Sequence, residues 1–119
     1  MAESAAAIVR VYYRIIRGTR PVLDDFRSAR ALGKPLRNRK LVRKWAEGIS
    51  VYDRLERAIE IVRLYDFKLG RRIVALRILE HAGIEHERWE TDPHHSTLYG
   101  EPAQLLGYAD DRPVLVEEA

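Results

Sequence analysis

Gly48-Ile49-Ser50-Val51-Tyr52-Asp53-Arg54-Leu55-Glu56, GISVYDRLE, changes its hydrophobic period partway along. Ile49 and Val51 alternate with Ser50 and Tyr52, the two-residue repeat of a strand. From Leu55 the repeat lengthens. Leu55, Ala58, Ile59, Val62 and Tyr65 recur at helical spacing. Asp53 stands at the N-cap position, and Glu56 three residues later completes a capping-box pattern. The stretch therefore predicts a strand over 49–52, a helix over 54–67 and a stop at Gly70. Ile49 and Val51 are expected to face the core. Ser50 and Tyr52 share the other face.

Working outward, residues 8–17 (IVRVYYRIIR) predict a first strand. Val9, Val11, Tyr13 and Ile15 share one face; Arg10, Tyr12 and Arg14 share the other. Gly18 to Pro21 reads as a turn. A short helix follows, with Val22, Leu23, Phe26 and Ala29 apolar and Gly33 as its stop. Residues 37–46 predict a second short helix burying Leu41, Val42 and Trp45. Strands are predicted over 72–78, 84–90 and 113–117. TDPHHSTLYG (91–100) reads as a loop leading into another short strand, and 102–106 as one or two helical turns. The whole predicts one α+β domain over residues 1–119, with a mixed or antiparallel sheet and three to four short helices.

Composition narrows the function classes. The chain has 119 residues and no cysteine, which removes disulfides, thiol nucleophiles and cysteine-based zinc sites. It also suits a cytoplasmic setting. No apolar run approaches the ~18 residues of a membrane span. The first residues lack a basic region ahead of their apolar stretch, so no signal peptide is expected. The net charge of +3 is unevenly spread. Residues 1–47 hold 12 Lys and Arg against 4 Asp and Glu, while residues 48–119 hold 9 against 14. Arg37, Arg39, Lys40 and Arg43 lie in the densest basic run, a surface suited to nucleic acid or to a solvated face.

Candidate chemistry is scattered. Glu85 and Glu87 form an E-x-E pair that a strand would aim to one side, where like charges raise one carboxyl pKa. His94 and His95 adjoin in a polar segment that suits a general base, a ligand contact, metal ligation with His81 or His86 as further ligands, or backbone hydrogen bonding, although no H-x-x-x-H spacing supports the metal. Arg14, mid-strand beside Tyr12 and Tyr13, is placed to hold a phosphate or carboxylate bidentately. No G-x-G-x-x-G, phosphate-binding loop or G-x-S-x-G elbow is present.

The order of a strand arginine (Arg14), a strand serine (Ser50) and an E-x-E strand (Glu85, Glu87) resembles the Arg-Ser-Glu arrangement of the ADP-ribosyltransferase-like fold. In place of that family's Ser-Thr-Ser triplet stands Ile49-Ser50-Val51. The likeness implies ADP-ribosyl transfer from NAD, or NAD hydrolysis, by a small bacterial toxin-type protein with a neutralising protein partner. It implies Glu87, Ser50 and His95 as catalytic residues and Arg14, Tyr52 and Thr97 as contacts to NAD. A further likeness, to small bacterial proteins with a Gly-Ile-Ser-Val-Tyr element and a later His-x-Thr-Leu-aromatic-Gly element (here His95 to Gly100), implies no activity. The alternatives are a nucleic-acid-binding module using the basic run and a non-catalytic interaction domain.

Overall fold

The structure is a computed structural model and describes residues 9–28, 32, 48–79 and 82–117. The helix expected over 37–46, together with Arg37, Arg39, Lys40 and Arg43, lies outside the described residues. Six strands form one sheet: β1 (Val9–Ile16), β2 (Ile49–Tyr52), β3 (Arg72–Leu79), β4 (Glu85–Arg88), β5 (His95–Tyr99) and β6 (Val114–Leu115). Their order is β4-β5-β2-β1-β3-β6, and every pairing is antiparallel. Two α-helices, α1 (Leu55–Leu64) and α2 (Pro102–Gly107), and a 3-10 turn at Leu23–Phe26 complete the described elements. The described residues thus form an α+β fold with an antiparallel sheet and two α-helices, where three to four short helices were expected over the whole chain.

The alternation in β2 divides the interior into two cores. Ile49 and Val51 join Tyr12, Ile16, Val74, Leu76, Ile78 and Leu98 on one face, closed by Phe26 and by Leu105 of α2. On the other face α1 seats Ala58, Ile61 and Val62 against Ile15, Tyr52, Ile73 and Val116. Burying aliphatic side chains such as Ile61 and Val62 stabilises by about 1.5–3 kcal/mol each. These surfaces are called the α2 face and the α1 face below.

α1 starts and stops differently from the capping-box reading. Its N-cap is Arg54, and no side chain caps it; Asp53 is committed elsewhere, as the site shows. At its other end Asp66 and Phe67 take φ of 54° and 61°, and the Phe67 N–H donates to the Val62 carbonyl at 2.9 Å. That left-handed wrap ends the helix before residue 67. Gly70 follows at φ 142°, where a Cβ would lie 2.1 Å from the Ile16 carbonyl oxygen. Only glycine fits that approach to β1.

The segment 91–100 is also corrected. His95–Tyr99 is β5, an interior strand hydrogen-bonded to β2 on one side and β4 on the other. Its polar residues disguise it: Ser96 and Thr97 are buried all the same, at 5% and 1% exposure.

Candidate functional site

Register places the expected site residues. Glu87 pairs with Thr97, and Thr97 with Ser50; Tyr52 pairs with His95. Directly paired residues share a face, so Glu87, Thr97, Ser50, Tyr52 and His95 form one strip on the α1 face. The strip is knitted to itself. The Tyr99 hydroxyl donates to Glu87 Oε1 at 2.8 Å, and Trp89 Nε1 donates to Thr97 Oγ1 at 2.9 Å. The His95 ring lies between Trp89 (centroids 4.5 Å apart, planes within 6°) and Tyr52 (4.9 Å, 24°). Burial pushes the Tyr52 phenol up to about 12, with Arg14 opposing that rise.

Arg14 does not belong to the strip. It alternates with Tyr13 and Ile15 and emerges on the α2 face. Its Nε donates to the Asp25 carbonyl and its Nη1 to the Ser50 carbonyl, both at 2.9 Å. Desolvation lowers its pKa below the ordinary arginine value, opposed chiefly by Asp25. The expected phosphate anchor is instead a clasp between β1, β2 and the 3-10 turn. The sheet lies between it and Glu87.

Space for a ligand opens on the α2 face. A cleft of about 550 Å³ is lined by Arg10, Tyr12, Asp53, His86, Arg88 and Ser96 among others. A smaller recess of about 160 Å³ shares Arg10, Tyr12 and His86 with it and is otherwise apolar, with Ile78, Leu79, Ile84 and Leu98. Two strands separate β1 from β4, yet the sheet curls enough for Arg10 to reach His86. Arg10 Nη1 contacts His86 Nε2 at 2.6 Å, and the Tyr12 and His86 rings lie 6.3 Å apart. A guanidinium only donates, so Nε2 accepts and the neutral ring carries its proton on Nδ1. With two arginines against Asp53, the lining favours an anion.

Asp53 leads to a second layer. His94 Nδ1 lies 2.9 Å from Asp53 Oδ1. The Asp53 N–H donates to the His94 carbonyl at 3.0 Å, and the His94 N–H donates to Asp92 Oδ1 at 3.1 Å. Arg57 of α1 grips Asp92 Oδ2 with Nε and Nη2, each at 2.9 Å. Burial pushes the Asp92 carboxyl upward, but the hydrogen bonds from Arg57 and the His94 N–H outweigh it and leave it below its usual range. Among the described residues no group of three or more His, Asp or Glu side chains is arranged to hold a metal ion, and no helix is long and apolar enough to cross a membrane.

Arg88, Ser96 and the pairing of Asp53 with His94 were not picked out from the sequence, and His86 was expected only as a spare metal ligand beside His81, which lies outside the described residues. One signal was present: His86 and Arg88 alternate with Glu85 and Glu87, so the strand that aims acids one way aims bases the other. Compared with protein-family models, curated proteins and solved structures, the chain has no match.

Proposed function

We propose that this domain binds a phosphate-bearing nucleotide in the cleft beside Tyr12. The observation that carries this is the joining of two unlike compartments. Arg10 and Arg88 line the larger one, and Ile78, Leu79, Ile84 and Leu98 line the adjoining recess, which shares Arg10, Tyr12 and His86 with it. Arginine suits phosphate oxygens through paired N–H donors. The apolar recess, with Tyr12 and His86 at its threshold, suits a flat base, since aromatic stacking accepts any nucleobase.

NAD belongs to this ligand class. ADP-ribosyl transfer would fall to Glu87, whose carboxylate is held by Tyr99 on the opposite face. Binding of a nucleotide, rather than ADP-ribosyl transfer, is therefore what the geometry favours.

Calorimetric titration with ADP, NAD and adenosine tests this reading. ADP and NAD are expected to bind, and adenosine, lacking phosphate, more weakly. Arg88→Ala and Arg10→Ala should each weaken ADP binding by about tenfold, the scale of one charged hydrogen bond. Absence of saturable binding by any phosphate-bearing ligand, or full affinity in both variants, overturns it.

A further inference from the structure

We infer that the cleft is a proton-linked anion site, in which binding of a phosphate group takes up a proton on His86. This rests on the phosphate-binding reading of the cleft.

The warrant is the 2.6 Å contact between Arg10 Nη1 and His86 Nε2. A guanidinium only donates, so this contact lasts only while Nε2 keeps its lone pair. Protonation of the ring places a hydrogen on that nitrogen and makes it a donor. Contact and proton therefore exclude each other. Both side chains line the cleft and the adjoining recess, so breaking the contact changes what the cleft presents. His86 is exposed, and its proton exchanges with solvent. Histidine is the side chain whose ordinary charge change falls between about pH 5 and 8.

The groups around His86 decide which state each ligand favours. Arg10 and Tyr12 come from β1, Arg88 from β4 itself, Asp53 from just past β2 and Ser96 from β5. The Tyr12 ring lies 6.3 Å from the imidazole. The recess adds only apolar side chains to these. Without an anion between them, a positive His86 would stand against two guanidiniums. One carboxylate, Asp53, favours it, and that carboxylate also accepts from His94 Nδ1 at 2.9 Å. A phosphate reverses the balance. Its oxygens accept from Arg10 Nη1 and from the Nε2–H that protonation creates, and charge-assisted bonds of this kind are the strong ones. Three like charges that repel one another become ligands of one anion. Proton and anion thus favour each other, and the coupling is reciprocal: a phosphate group binds more tightly as pH falls, and its binding draws a proton from solvent.

The test is calorimetric titration of the full chain with NAD and with ADP from about pH 5.5 to about pH 8.5, in paired buffers of different ionisation enthalpy. Kd should fall with pH, by up to about tenfold per pH unit where uptake approaches one proton. The measured enthalpy should vary between buffers in proportion to the proton taken up. His86→Gln keeps an acceptor for Arg10 and cannot be protonated, so it should remove the uptake and flatten the profile. The difference between parent and variant cancels any titration of the ligand itself. A merely structural role for His86 would instead shift Kd equally at every pH. His94→Asn, which keeps a donor for Asp53, should retain most of the uptake. Binding without uptake, equal uptake in the parent and His86→Gln, or uptake lost in His94→Asn instead overturns the proton linkage at His86 and leaves the phosphate-binding reading standing. Failure of NAD and ADP both to bind at any pH removes both.

Discussion

Arg14 donates to the Ser50 carbonyl oxygen at 2.9 Å, yet the two side chains leave opposite faces of the sheet. The contact is one of backbone support: Arg14 ties β2 and the Asp25 carbonyl to β1. Arg14→Met keeps much of the stem and removes both charged hydrogen bonds. It is expected to destabilise the fold by roughly 2–4 kcal/mol, measured by urea unfolding, and to leave ADP affinity unchanged. A loss of affinity with undiminished stability would return Arg14 to the binding site.

Why the site was only half legible follows from such pairs. The period change at GISVYDRLE was readable because β2 and α1 each bury one face, so apolar spacing records them. β5 was not, because Ser96 and Thr97 are buried without being apolar, and their burial depends on strands far away in sequence. The strip of Glu87, Thr97 and Ser50 was approachable, since alternation fixes a face once a strand is known. Face identity across strands is another matter. It depends on register, and an arginine one residue out of phase with its supposed partners lands behind the sheet. The clasp of Asp53 with His94 spans 41 residues and obeys no local spacing. Asp53 looked like a helix cap because an acid before a helix usually is one.

Gly48 and Thr97 offer a packing test. A Cβ on Gly48 would lie 2.2 Å from Thr97 Cγ2 and 3.0 Å from the Leu98 carbonyl oxygen. Gly48→Ala should cost about 1–3 kcal/mol by overpacking. Thr97→Ser removes the clashing methyl, itself worth about 0.8 kcal/mol of burial. The double variant should therefore be more stable than the two single losses predict, by at least about 0.5 kcal/mol in a thermodynamic cycle. Additive losses would mean that the backbone, not the methyl, sets the limit.

Arg57 and Asp92 set the acid limb. Burial favours the protonated Asp92 carboxyl, but Arg57 and the His94 N–H hold it below its ordinary value of 3.8. A lowered folded pKa contributes stability above the unfolded value and loses it as pH falls through the folded one. The contribution should thus fade below about pH 4. Arg57→Ala leaves burial unopposed by that guanidinium, so the carboxyl rises and the acid transition should move to higher pH. The pair is part-exposed and screened, so the neutral-pH loss should be only about 1 kcal/mol. Equilibrium unfolding from pH 2 to 7 measures both effects, and an unmoved acid transition would exclude the coupling.

Tyr52 sets the alkaline limb with the opposite sign. Burial raises its phenol to about 12 from an ordinary 10.0. Between those values the unfolded chain releases this proton while the folded chain keeps it. Unfolding is then favoured increasingly with pH, so the stabilisation is whole below about pH 10 and is lost as pH approaches about 12. The full difference is of order 3 kcal/mol. Tyr52→Phe keeps the ring against His95 and has no proton to lose, so its stability should fall less steeply across this window than that of the parent. Every other group is common to both proteins, so the difference between the two curves isolates Tyr52. Parallel curves from pH 9 to 12 would show that the phenol is hydrated in the fold, and that the stack with His95 and Trp89 leaves its hydroxyl in water.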